Sequence, residues 1–397
     1  MTANRSFLLL QGPPGPLFFR LGEALGRRGH AVCRINLGGG DRYDWSTGAV
    51  EYRGSFSAWP TFVDQIMRER KVTDLLLFGD CRPYHVKAHG IAKLRGIRTW
   101  VLEEGYIRPH WMTLELDGVN ARSPMKLSRS RLLAEAARSK AEPEQPPVTA
   151  SFRRRARDSY WYYHHVVSGC LRYPHYRSHR TGWIIQEGIG WLWRLANQRK
   201  RARAAQATLS KLANKRVFLF PLQLSGDFQI RSHSPFADMP GAAAYVIDSF
   251  ARHSDADSHL LLKRHPLDCS FFPWASYIQR LGTKWQIGDR LHFIDGGDLE
   301  TISGRACGMV CVNSTSATLA LQQGTPVCAL GDAIYKIEGL THSGHVDSFW
   351  SQPTPPEPGL YESFRRVLLD RCLVRGGLAS ESAVTTLLES MLERIEA

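Results

Sequence analysis

Short, uninterrupted apolar runs alternate with amphipathic stretches at both ends of this chain. That alternation restricts the fold more than any other feature. In the first 125 residues "SFLLLQG" precedes "PLFFRLGEALGRRGH", "AVCRINLGGG" precedes "FSAWPTFVDQIMRERK", and "DLLLFGD" precedes "RPYHVKAHGIAKLRG", which leads into "TWVLEEG". A strand apolar along its whole length must be covered on both faces. Joining such strands through helices yields a parallel sheet in an α/β layer structure. Glycine stands at the expected helix ends, in "GRRGH" and "LRGIRT", as helix C-capping favours.

The pattern restarts at Arg216 with "RVFLFPLQ", "HLLLKRHP", "RLHFIDGG", "GMVCVNS" and "PVCALGD", each separated by a helix-like piece. A chain of 397 residues exceeds a typical single domain. The expectation is therefore two Rossmann-like parallel-sheet domains, 1–125 and 216–397, facing across a cleft as in the GT-B glycosyltransferase architecture. The last helices are placed in the second domain, with the option of packing back on the first. Residues 126–215 break the rhythm and read as a basic helical insertion, with "AEPEQPP" as a mobile turn.

Charge is concentrated in that insertion. Lys126 to Arg216 carries 20 Lys/Arg against 5 Asp/Glu, whereas the whole chain is only +14. Such confinement suggests a docking surface for something anionic. Arg153–Arg155 lie near Tyr160, Trp161, Tyr162 and Tyr163, and Trp183, Trp191 and Trp193 lie near Arg199–Arg203. Cations mixed with interfacial aromatics suit peripheral contact with an anionic membrane surface. Nucleic acid is disfavoured, because it does not account for carboxylates at strand ends. No run of about 18 uncharged apolar residues occurs, so no membrane-spanning helix is expected. The N-terminus lacks a signal-peptide pattern. The eight cysteines form no CxxC pair, which favours reduced cytoplasmic thiols.

In open parallel sheets, ligands bind at the carboxyl ends of the strands. "DLLLFGD" ends at Asp80, with Arg82 and His85 just beyond. "TWVLEEG" ends at Glu103, Glu104 and Gly105, one helix further on. Gln11 and Gly12 follow the first strand. Asp80, Glu103 and Glu104 are the candidate catalytic carboxylates, since neighbouring strand ends can bring acid and base groups together. Their order of importance stays open. In the second domain Lys263, Arg264, His265 and Pro266 end a strand, as do Asn313, Ser314, Thr315 and Ser316. Hydroxyls and cations at such positions suit a phosphate. Gln223, Asp227, Gln229, Ser232 and Ser234 form a further polar loop. No metal ligand set is expected: "DAD" at 255–257 lies in a polar turn before a strand, and "GPPGPLFF" lacks the ending of a P-loop.

Seven blocks in order carry a family resemblance. They are "GPLFFRLGEALGRRGH", "FGDCRPYH", "LEEGYIRPHWMTLELDGVNARS", "PLQLSGDFQIRSHSPF", "LLKRHPLD", "VCVNSTSATLALQQGTPVCALGDAIYKIEGLTHSG" and "VDSFW". Together they resemble the capsule polysaccharide biosynthesis family of KpsS/LipB type over about residues 7–125 and 216–370. The resemblance implies a retaining β-Kdo transferase that uses CMP-Kdo and starts a β-Kdo linker on lysophosphatidylglycerol. The acidic-Gly and HP motifs are also similar to those of bacterial sialyltransferases. By that likeness Glu103–Gly105 would supply the catalytic carboxylate, His265–Pro266 would hold the CMP phosphate, and Ser314–Ser316 would help. Lys263 and Arg264 would pair with the phosphate or the sugar carboxylate. A donor with one phosphate needs no divalent ion, so neither cofactor nor metal is expected. The implied location is cytoplasmic, on the inner membrane, with other capsule assembly proteins as further candidate partners. Alternatives are a transferase using another nucleotide sugar and a non-catalytic export or assembly factor.

Overall fold

The computed structural model describes residues 4–139, 148–178, 184–224, 230 and 234–397. "AEPEQPP", Trp183, Asp227, Gln229 and Ser232 lie outside the described residues. The strands are β1 (Ser6–Leu9), β2 (Ala31–Asn36), β3 (Val50–Glu51), β4 (Asp74–Phe78), β5 (Arg98–Glu104), β6 (Trp111–Leu116), β7 (Arg216–Pro221), β8 (Ser258–Lys263), β9 (Leu291–Ile294), β10 (Gly308–Cys311), β11 (Val327–Ala329) and β12 (Leu373–Arg375).

Two compact α/β units result. The first contains 4–124, 148–178 and 368–397 of the described residues, and the second 125–139, 184–224, 230 and 234–367. The stretch 126–215, read as one insertion, is thus divided between the units. Helix Phe152–Ser168 belongs to the first, and helices Arg129–Ala136, Ile184–Ala196 and Gln198–Lys211 to the second. The closing helix Glu381–Glu396 packs in the first unit.

The first sheet has the order β12-β6-β5-β4-β1-β2-β3. The β1, β2, β3, β4 and β5 pairings are parallel, while β6 and β12 add an antiparallel edge. Alternate residues divide between two cores, as the two-residue period of a strand requires. Leu9, Leu76, Phe78, Trp100 and Leu102 face helices Leu17–Arg27 and Glu381–Glu396. Leu8, Leu75, Leu77 and Ile35 face helices Trp59–Glu69 and Pro83–Leu94. Asp74 is fully buried at the start of β4 and bound by Arg5, Thr73 and Trp100. Burial works against its charge, but those donors outweigh it and hold the carboxyl below the usual range.

The "GGG" after β2 opens the short helix Gly39–Asp44. A Cβ on Gly39 would strike the His165 carbonyl, and one on Gly40 would strike the Tyr162 ring. These glycines let helix Phe152–Ser168 approach the backbone closely, so the Gly-rich turn is a helix-packing surface.

The second sheet, β11-β10-β7-β8-β9, is parallel throughout. Phe218, Phe220, Leu260, Leu262 and Val310 pack on helix Met239–His253 and on Trp350. Helix Gln198–Lys211 lies against β9, where Gly296 and Gly297 make room for Ala205 and Leu209. Among the described residues no helix is long and apolar enough to cross a membrane.

Candidate functional site

Each sheet reverses its strand order once, and a ligand crevice opens at such a switch point. In the first unit the switch lies between β1 and β4, in the second between β7 and β10. Gln11, Gly12, Asp80 and Arg82 sit at the first, and Gln223 and Asn313–Ser316 at the second.

At the first switch Arg82 Nη1 donates to the Gly12 carbonyl across the crevice at 3.3 Å. Its guanidinium also lies over the Phe78 ring. Gln11 is buried, and its Nε2 donates to the hydroxyls of Tyr162 (2.7 Å) and Tyr176 (2.8 Å). Tyr162 passes its own proton toward Asp41 (3.0 Å), which pairs with Arg34 (3.3 Å). The polar chain Arg34–Asp41–Tyr162–Gln11–Tyr176 therefore welds the β1 loop to the segment 148–178. Tyr162, read as an interfacial aromatic, is buried inside this network.

The three candidate carboxylates do not share one environment. β5 continues through Glu104, so Glu103 and Glu104 project from opposite faces of the sheet. Glu104 lies on the face of Trp100 and Leu102, where Arg155 donates to it at 2.9 Å. Glu103 is half-buried on the other face, and its Oε2 stands 3.1 Å from where a Gly79 Cβ would be. Its Oε1 also accepts the Glu104 N–H at 3.1 Å. Asp80 is almost fully buried. It receives the Val119 N–H and Arg122 Nη1, both at 3.5 Å, and the Cys81 thiol at 3.2 Å. Asp80 thus pins the segment returning from β6, and the convergence expected of all three carboxylates is corrected. Strand periodicity separates the glutamates, and burial commits Asp80 to the scaffold. Gly105 is required sterically, since a Cβ there would collide with the Trp111 carbonyl.

His85 is fully buried, with Nδ1 2.7 Å from the Gly79 carbonyl. A carbonyl only accepts, so Nδ1 carries the proton. Nε2 has no hydrogen-bond partner among the described residues. Burial, then the nearby Arg82 charge, pushes this histidine down to about 3. His85 is neutral and braces the turn after β4.

Asp44 accepts the Gly15 N–H at 3.1 Å beside the β1 loop. Burial, reinforced by Asp41 and Asp158, pushes its carboxyl up to about 8. A group that holds its proton more tightly when folded loses stabilising effect as pH rises above its unfolded value. The protein should therefore become less stable between about pH 4 and about pH 8 on account of Asp44. Asp44→Asn should gain in thermal midpoint relative to wild type at the upper end of that window and not at the lower.

The second switch is closed by a reciprocal amide pair. Gln223 Nε2 donates to Asn313 Oδ1 at 3.0 Å, and the Asn313 N–H donates to Gln223 Oε1 at 3.1 Å. Ser314 and Ser316 hydroxyls bond each other at 2.7 Å. Helix Ala317–Gln322 is only six residues long, and the Ser316 side chain makes no capping bond. The serines stiffen the loop, and Thr315 accepts through its carbonyl from the Thr318 hydroxyl. Tyr335 donates to the Ser314 carbonyl at 2.7 Å and ties the β11 loop to this one.

At the end of β8, Lys263 is buried, and burial pushes its ammonium below the ordinary value despite Asp295 and Asp298 nearby. His265 Nδ1 accepts the Leu267 N–H at 3.1 Å. In the neutral ring the proton then resides on Nε2, which makes that atom a donor. Pro266 is exposed, and its carbonyl accepts from Arg194 at 3.2 Å. Arg264 was expected to meet a ligand. Its three nitrogens instead donate to Asp268 (3.0 Å), Asp295 (3.5 Å) and the Ser270 carbonyl (2.5 Å). The guanidinium is spent within the loop, because the buried Asp268 and the partly buried Asp295 are carboxylates that need it.

Several residues that shape these edges escaped sequence reasoning. Tyr176, Arg34, Asp41 and Arg155 are distant in sequence from the strand ends they serve. Arg194 lies in a segment read as an interfacial helix, and Asp295 at the end of "RLHFIDGG", read only as a strand. "DAD" sits before β8, at the opposite strand end from the switch, with Asp255 paired to Arg216 at 2.6 Å.

The fold defines an α/β protein with one switch point in each of two largely parallel sheets. The profile of the capsule polysaccharide biosynthesis protein family matches residues 73–378. The chain is 31% identical over 391 residues to capsule polysaccharide modification protein LipB of Neisseria meningitidis serogroup A, covering 96% of this chain and 93% of the relative. It is also 31% identical to capsule polysaccharide export protein KpsS of Escherichia coli, covering 93% and 95%. Among solved structures, the β-Kdo 2,7 transferase of KpsC from Thermosulfurimonas dismutans aligns with 97% of this chain and 99% of that one, at 14% identity and a TM-score of 0.47. The chain belongs to the capsule polysaccharide biosynthesis protein family.

Proposed function

We propose that this protein is a glycosyltransferase of capsule polysaccharide biosynthesis. It transfers Kdo from CMP-Kdo to a lysophosphatidylglycerol acceptor, with retention, to start a β-Kdo linker. Family membership supports the capsule role. The observation that carries the donor assignment is the second switch point. The Gln223–Asn313 pair holds two loops side by side, and the His265 Nε2–H stands on the next strand end as a donor.

In this reading His265 donates to the CMP phosphate and Lys263 adds positive charge as the sugar–phosphate bond breaks. Charge stabilisation of a leaving phosphate by fixed donors is a major catalytic term. The new bond joins the acceptor hydroxyl oxygen to the anomeric carbon on the same face that CMP leaves, as retention requires of a route without a covalent intermediate. The hydroxyl proton passes to a carboxylate, and CMP departs with the bonding pair. Glu103 is the carboxylate assigned to the sugar, because it stands at the end of β5, half-buried beside Gly79 in the turn after β4. Nucleotide release is expected without a divalent ion, since a single phosphate leaves.

Incubation with CMP-Kdo and a short-chain lysophosphatidylglycerol, with and without EDTA, tests this. The expected result is CMP and a Kdo-glycolipid in both. CMP binding with no glycolipid from any acceptor would favour the assembly role suggested by the name of the Escherichia coli relative. Transfer from a different nucleotide sugar alone would overturn the donor assignment.

A further inference from the structure

Helix Ile184–Ala196 is inside out. Amphipathic helices on a protein surface normally turn their apolar stripe inward. Here the inward positions are Gly190, pressed on the Cys269 backbone, and Arg194, which is 5% exposed. The Arg194 guanidinium forks onto Asp295 at 3.0 and 3.2 Å and also donates to the Asp268 and Pro266 carbonyls. The outward positions are Ile189 (54% exposed), Leu192 (69%), Trp193 (51%) and Leu195 (54%). Residues 189, 192 and 193 follow helical spacing, so they form a stripe rather than scattered exposure. The next helix, Gln198–Lys211, begins with exposed Arg199 and Lys200 and carries exposed Arg203. No acidic residue occurs between Gly188 and Lys215.

We infer that this face is a docking surface for an anionic lipid bilayer, on which the helix lies in the interfacial plane. Exposed apolar area adjoining exposed cations matches a surface that is apolar at depth and anionic at its headgroups. The charges decide between a bilayer and another protein. An apolar protein interface needs no excess of one sign around it, whereas an anionic membrane draws that excess to its surface. Trp193 suits the boundary, with an apolar ring and one polar N–H. Arg194 sets which face points outward. The inference is independent of the transfer reaction, because it concerns where the chain binds and not what it catalyses.

The test is sedimentation of the full chain with vesicles of phosphatidylcholine alone or mixed with phosphatidylglycerol. Wild type should bind the mixed vesicles, release them as salt rises, and bind phosphatidylcholine far less. Leu192→Asp combined with Trp193→Asp should lower the affinity for mixed vesicles by about tenfold or more. Both positions are exposed, so the thermal midpoint should not move. Arg199→Gln with Lys200→Gln and Arg203→Gln should lower binding to mixed vesicles by several-fold. Unchanged binding by the Leu192/Trp193 variant would overturn the inference. So would a wild-type chain that ignores vesicles and self-associates, with dissociation on the same substitutions, since the face would then be a protein interface.

Discussion

Glu103→Gln is expected to lower Kdo transfer by about a hundredfold to ten-thousandfold while leaving CMP binding unchanged. The substitution keeps shape and removes charge, so it isolates the carboxylate from its packing. Glu104→Gln should act differently. Its partner Arg155 would lose an ion pair in which both side chains are about one-third exposed, at 32% and 37%. Pairs of that exposure contribute at most about 1 kcal/mol, so activity and thermal midpoint should move little. Asp80→Asn should chiefly reduce stability, because it weakens the hold on Val119 and Arg122. Initial rates of CMP release, read beside CMP affinity and thermal midpoint for all three variants, separate the roles. Full activity in Glu103→Gln together with loss in Glu104→Gln would move the chemistry to the opposite face of the sheet.

That separation was invisible in "LEEGY" alone. The apolar run ending at Leu102 suggested a strand that stops, with both glutamates free to reach one crevice. The strand instead continues to Glu104 because β6 pairs with it, placing Glu103 opposite Thr113 and Glu104 opposite Met112. β6 itself was missed: "WMTLEL" interrupts its apolar residues with Thr113 and Glu115, and Glu115 is buried through bonds from Tyr106 and Ser123. Runs such as "FLLL" and "LLLF" were legible because burial on both faces removes polar residues from a strand. The switch-point residues were legible for the same reason, since each follows such a run directly. What position in sequence could not convey was long-range pairing. Gln11 meets Tyr162 across 151 residues, and Arg194 meets Asp295 across 101. Basic composition in 126–215 suggested a docking surface for something anionic, yet Arg194 is buried, and Arg155 and Arg201 are spent on carboxylates of the sheets' edges.

Asp295→Ala should be the most destabilising change in the second unit, at about 3–5 kcal/mol. Arg194, Arg201 and Arg264 all donate to this one carboxylate, whose side chain is only 13% exposed. Removing it leaves three guanidinium groups crowded with Asp268 as the remaining nearby acid, and each of the three also donates to a backbone carbonyl. The loop carrying His265 is pinned through Arg194, so donor binding should weaken together with stability. A denaturant midpoint and cleavage of helix Ile184–Ala196 under limited proteolysis report the two consequences. Combining Asp295→Ala with Arg194→Met should cost less than the two single changes added together, because the second removes a charge that the first strands. An unchanged midpoint in Asp295→Ala would mean that the cluster does not hold the helix. The size of the anchor also bears on why the helix is inverted. Four apolar side chains left about half exposed forgo roughly 1 kcal/mol each compared with full burial. In water the outward stripe is therefore unfavourable by itself, and the Arg194–Asp295 pair fixes the face that turns inward. Against a bilayer the stripe is buried without releasing the anchor, and both terms then favour the same orientation.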